Sequence, residues 1–257
     1  MEKESFDKAA TRYDETFTNT NIGIAQRNAV WRHIDKNRFP QNSHVLELNC
    51  GTGEDASRWE ERKMHILATD ISQEMVKVSK SKFPSIDFKQ LDIKNCREEL
   101  RGKNIIFSNF GGFNCLSSAE IKQFFLEANQ NLKADAKIIL LIMGKNCIWD
   151  NLFLLAKGKF SEIGRRNTYQ SISVSVENET IQTWYYSPKE IKKLAGSNFK
   201  VEKLKPIGLL VPPSYLSHWF SNKSWLISIL AFKDRFLSFS FLANYADHYY
   251  IQLTKRK

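Results

Sequence analysis

The stretch Val45-Leu46-Glu47-Leu48-Asn49-Cys50-Gly51-Thr52-Gly53-Glu54 decides the fold. Val45, Leu46 and Leu48 form the short apolar run of a strand covered on both faces, and Cys50 to Gly53 then turn the backbone into a helix beginning near Glu54. A buried strand, a glycine turn and a helix in that order form the ligand-binding end of a doubly wound α/β sheet.

The flanking sequence repeats the alternation. Strands are predicted at 64–70, 86–93, 103–109 and 136–143, with helices at 54–62, 72–82 and 118–132 between them. Upstream, residues 5–17 place Phe6, Ala9, Ala10, Tyr13 and Phe17 on one helical face, and 22–38 read as a helix ending before Phe39-Pro40. Ser187-Pro188 starts a helix, and strands at 199–204 and 249–254 complete a mostly parallel seven-stranded sheet. The reading is one domain over 1–257, with a core at about 40–144, 188–208 and 247–257. Two insertions cover it. Residues 145–187 carry an apolar helix and a hairpin with Asn178 near its turn, and 209–246 carry short aromatic-rich helices.

Two cofactor classes use a glycine turn of this kind. Gly51, Gly53 and Ala56 fit the G-x-G-x-x-G/A dinucleotide spacing. The charges oppose that reading, because Glu54 and Asp55 fall in the first helical turn and Glu47 just upstream, a setting that repels pyrophosphate and suits a cation. The pattern Glu47-x-Asn49-x-Gly51-x-Gly53 resembles the acid-x-G-x-G-x-G motif of class I S-adenosylmethionine-dependent methyltransferases. Asn49 departs from the usual glycine but tolerates left-handed backbone angles better than other side chains.

The resemblance covers roughly residues 5–143 and the end of the sheet, and it implies a cofactor site. Asp70, with Ile71 beside it, would take the ribose hydroxyls, and Asp92-Ile93 the adenine. Asn109 after the fourth strand, and Tyr13 in the opening F-D-x-A-A-x-x-Y-D segment, would lie near the methionine end. Ordered acids after three successive strands, Glu47, Asp70 and Asp92, are the main support for S-adenosylmethionine as cofactor.

The formal charge of +10 is unevenly spread: residues 145–257 hold 17 Lys/Arg against 8 Asp/Glu. That basic surface lies outside the cofactor half and suits nucleic acid, an anionic membrane face, an acidic substrate or simple solvation. Cys50, Cys96, Cys115 and Cys147 are scattered and lack metal-ligand spacing, so no metal is expected. The charged opening residues and the absence of a long uncharged run lead us to expect a cytoplasmic protein.

The expected function is methyl transfer to a small, aromatic or lipophilic acceptor by in-line displacement. No Pro-Pro-Tyr-type motif of nucleobase amino-methyltransferases follows the fourth strand, so no nucleic acid is expected as partner. Peripheral membrane contact through the basic aromatic cover is open, as is the oligomeric state. Phe113, Asn114, Tyr186, Tyr215 and Trp219 are the candidate acceptor contacts. His218 is the candidate base, with His248 second. The alternatives are an RNA methyltransferase and a non-catalytic cofactor-binding protein.

Overall fold

A computed structural model describes residues 6–176 and 179–256. In chain order the elements of the first half are α1 (Asn21–Ile34), β1 (His44–Leu48), α2 (Glu54–Glu61), β2 (His65–Asp70), α3 (Gln73–Lys82), β3 (Asp87–Gln90), β4 (Ile105–Ser108), α4 (Ser118–Asn131) and β5 (Lys137–Met143). The second half contains α5 (Ile148–Ala156), a hairpin of β6 (Ile172–Val176) and β7 (Glu179–Thr183), α6 (Pro188–Ala195), β8 (Phe199–Ile207), α7 (Ser217–Phe220), α8 (Ser224–Asp234) and β9 (His248–Lys255). The expected hairpin turn at Asn178 lies outside the described residues.

Seven strands form one sheet in the order β3-β2-β1-β4-β5-β9-β8. The first five are mutually parallel, and β9 runs antiparallel to both of its neighbours. β1 is central: Leu46 lies opposite Leu67 on one side and Ile106 on the other. Both faces are covered, which explains why Val45, Leu46 and Leu48 are all apolar. Leu46 and Leu48 pack in a cluster with Phe124 of α4 and Ile191 of α6. Val45 packs with Trp31 of α1 and Trp59 of α2 on the opposite face. Strand order reverses between β1 and β4, so their carboxyl ends open the crevice in which such sheets bind ligands.

Two expectations are corrected. Residues 6–17 form turns followed by a π-helical turn at Asp14–Thr18, closed by the Asn19 N–H on the Asp14 carbonyl, and not a regular α-helix. α1 ends at Ile34 because Asn37 turns its amide back onto the His33 and Ile34 carbonyls and caps them. The other capping signals hold locally: Ser72 accepts the Met75 N–H, and Ser187 forms a capping box with Glu190.

Candidate functional site

At the carboxyl ends of β1, β2 and β4 lies a cleft lined by Tyr13, Asn49, Gly51, Asp70, Ile93 and Phe110, among others. Its floor is the turn after β1. Asn49 and Gly51 both have positive φ, 52° and 54°, as does Gly53 at 86°. Gly53 needs its hydrogen for a second reason: a β-carbon there would fall 3.0 Å from both Phe83 and Phe88. The Asn49 side chain spans to β4, donating to the Asn109 carbonyl and accepting from the Ser108 hydroxyl. It fills the space beside Gly112, where a β-carbon would meet it at 2.2 Å.

Asp70 ends β2 with both carboxylate oxygens engaged, one by the Gly51 N–H and one by the Ser72 N–H, each at 2.9 Å. Burial raises its pKa, and those N–H groups oppose the rise. Asp70 is thus 7% exposed and part of the turn itself. Glu47 is more deeply buried, and its Oε2 has no hydrogen-bond partner. Burial, then the charge of Asp55, push its pKa well above the usual carboxylate range. An unpartnered carboxyl beneath the turn is a site prepared for a cationic group.

The opening segment closes the cleft as a strap, and each polar residue of its motif has a task. Phe6 and Tyr13 line the cleft, and Tyr13 rests against Gly51. Ala9 and Ala10 pack on Met75. Asp7 accepts from the Ser72 hydroxyl at the start of α3. Asp14 accepts from the Thr52 hydroxyl and from Lys82, which also binds Glu54. Burial pushes the Tyr13 hydroxyl up to about 12, so it stays protonated at neutral pH.

These contacts change the reason that a pyrophosphate does not fit. Both acids of the first α2 turn are compensated, Glu54 by Lys82 and Asp55 by the buried Arg27 together with Trp31 and Asn109. What opposes phosphate is Asp70, which already engages the Gly51 N–H of the turn. The donor set therefore fits an uncharged adenosine carrying ammonium and sulfonium groups.

Residues 45–135 match the model of a family described as a methyltransferase domain. The chain is an S-adenosylmethionine-dependent methyltransferase. S-adenosylmethionine is its cofactor. The methyltransferase is 26% identical over 255 residues to an uncharacterized protein of Methanocaldococcus jannaschii, a match covering 96% of this chain and 87% of that protein. It is 23% identical over 238 residues to the ubiquinone/menaquinone biosynthesis C-methyltransferase UbiE of Campylobacter jejuni, covering 88% and 95% of the two chains. Its fold matches that of magnesium protoporphyrin IX methyltransferase from Synechocystis, with a TM-score of 0.63, 11% identity, and coverage of 98% and 97%.

Of the residues predicted for the methyltransferase cofactor site, Tyr13, Asn49, Gly51, Asp70, Ile71 and Ile93 line the cleft. Glu47 and Gly53 lie beneath it and shape the turn. Asp92 caps the short 3-10 turn Ile93–Asn95 through the Lys94 N–H, while its neighbours Leu91 and Ile93 reach the cleft. Asn109 is turned away onto Asp55 and contributes its backbone to the Asn49 contact. Sequence reading missed Met75, Leu91, Phe110 and Cys115 as cleft residues. It also missed Arg27, whose partner is remote in sequence.

The predicted acceptor contacts are placed elsewhere. Phe113 is fully buried against Phe124, and Tyr186 is buried with its hydroxyl on the Leu116 carbonyl. Asn114 is a backbone staple, accepting the Met143 N–H and donating to the Met143 and Trp184 carbonyls. Tyr215 donates to Asp150, and Trp219 meets Phe153, so both pack the α7 region on α5. His218 is exposed, with its ring against Trp219. None of these six lines the cleft. His248 is nearer: its ring meets that of Phe110, a cleft residue, at 5.9 Å, and its Nδ1 lies 3.0 Å from Asp247 Oδ2.

Proposed function

We propose that the protein methylates a small aromatic or lipophilic acceptor that is held beside Phe110. The observation that carries this reading is the position of that ring. Phe110 lines the cofactor cleft and also meets Phe17 at 4.8 Å, Arg27 at 5.0 Å and His248 at 5.9 Å. Its φ of 49° is a costly backbone conformation for a bulky residue, and such strain gathers where geometry serves a site. The same ring thus touches the strap, α1 and β9 as well as the cleft.

When bound, S-adenosylmethionine supplies an electrophilic methyl group, and the protein supplies alignment and a dry environment. Asp70 would hold a polar part of the cofactor, with Glu47 beneath the turn, while Leu91, Ile93 and Met75 would offer apolar wall to its flat parts. The strap shuts out water. We take His248, whose Nδ1 lies 3.0 Å from Asp247 Oδ2, as the group that would accept a proton from an acidic acceptor hydroxyl or carbon. The C-methyltransferase relative named for ubiquinone and menaquinone biosynthesis supports an acceptor of this lipophilic ring class.

The test is calorimetry with S-adenosylmethionine, followed by transfer of labelled methyl to a panel of reduced naphthoquinones, simple phenols and short RNAs. Methylated ring product supports the reading. Transfer to RNA alone, or cofactor binding without turnover on any ring acceptor, overturns it. His248→Asn should lower kcat by about 10²-fold or more while leaving cofactor affinity in place.

A further inference from the structure

Helix α8 is apolar on two sides although packing uses only one. Ile227, with the half-buried Leu230 and Ala231, packs on Ile22 of α1 and on Val211. Trp225, Ile229 and Phe232 on α8 and Phe236 just beyond it follow one another at helical spacing and form a second stripe. These four side chains are 64%, 44%, 55% and 67% exposed. In the next turn the rings of Phe239 and Phe241 stack at 5.8 Å, and both are more than half exposed.

The charges around the stripe are sorted. Lys223, Lys233 and Arg235 are exposed, and the Arg235 guanidinium lies over the Phe232 ring. Asp234, the acid among them, is turned inward, where it accepts the Leu210 and Val211 N–H groups. The outward face is therefore aromatic and cationic together. We propose that this face of α8 docks in the headgroup region of an anionic phospholipid bilayer.

Aromatic rings flanked by Lys and Arg suit that layer, where rings reach the acyl boundary and cations meet phosphate. At 11 residues α8 is too short to cross a bilayer, so it lies along the surface. A second copy fits the face less well, because a two-fold contact would bring the same cations together. Docking through α8 stands independently of the acceptor, since the stripe is on the side of α8 away from α1.

Flotation of the full chain with phosphatidylcholine vesicles, with and without phosphatidylglycerol, tests the proposal. At low salt the anionic vesicles should carry about tenfold or more protein than the neutral ones. Trp225→Ser combined with Phe232→Ser should abolish flotation, and Lys233→Glu combined with Arg235→Glu should remove the preference for anionic lipid. Melting temperature and S-adenosylmethionine affinity should be unchanged in both, which keeps this result separate from that of the methyl-transfer assay. Absence of flotation overturns the proposal. So does flotation that survives the Trp225/Phe232 change, or a concentration-dependent dimer that the same change dissolves while no vesicle is bound.

Discussion

Asp70 accepts the backbone N–H of Gly51 at 2.9 Å, so the acid that ends β2 and the glycine that follows β1 are two halves of one turn. The carboxylate proposed to meet a ribose also holds the floor of the cleft in shape. Binding and local stability are coupled at this residue.

Asp70→Ala should therefore cost both. Loss of charge-assisted hydrogen bonds to the cofactor should weaken S-adenosylmethionine binding by about 2–3 kcal/mol. Two backbone N–H groups lose their acceptor as well, so the melting temperature should fall. Calorimetry and thermal unfolding on one preparation check this, and an unchanged dissociation constant would remove Asp70 from the cofactor site.

Glu47 makes a pH-dependent prediction. Its folded-state pKa lies above the usual 4.5, so above that pH the unfolded chain releases a proton that the folded, unliganded chain retains. Ionisation of Glu47 then opposes folding as pH rises. Glu47→Gln should stabilise the free protein above pH 4.5, and the advantage should vanish below it. A cationic ligand reverses the preference, so wild-type affinity for S-adenosylmethionine should rise with pH while that of Glu47→Gln stays flatter. Denaturation and binding measured across pH would contradict the idea if both variants gave parallel profiles.

Asn49→Gly removes the contacts to Ser108 and Asn109 while keeping a backbone angle that glycine adopts freely. The net change in stability should be small, about 0.5–1.5 kcal/mol, set by the lost hydrogen bonds. Cofactor affinity should change little. A variant that is folded but no longer binds would show that the Asn49 amide itself touches the ligand.

Arg27→Leu should be far more damaging, because it leaves Asp55 buried with its countercharge gone. Breaking a buried pair of this kind costs about 3–5 kcal/mol. Urea unfolding would read the loss directly, and a change under about 1 kcal/mol would mean that Trp31 and Asn109 suffice to hold the Asp55 charge.

The parallel core and the turn at Gly51 were legible because their signals are local: apolar runs, glycine spacing and acids at strand ends. The acceptor side was not. Phe113 and Phe110 are three residues apart and chemically identical, yet one packs on Phe124 and the other lines the cleft. Asn114 offered an amide to a ligand in the sequence and spends it on two carbonyls in the fold. Arg27 and Asp55, or His248 and Phe110, meet only through tertiary structure, and no spacing rule announces them. The strap motif was legible as a pattern, but the tasks of Asp7 and Asp14 needed the positions of Ser72, Thr52 and Lys82.

The position of β9 between β5 and β8 has a consequence for how the chain is made. β8 leaves the ribosome before residues 248–255, and the described sheet gives it no neighbour except β9. Until β9 arrives, β5 keeps an open edge and β8 has no place to pair. Sheet completion is thus a late, long-range event, with Lys137 meeting Thr254 across most of the second half of the sequence. The early parallel half can assemble during synthesis, and a nascent chain stalled before His248 would expose two strands ready to pair with the wrong partner.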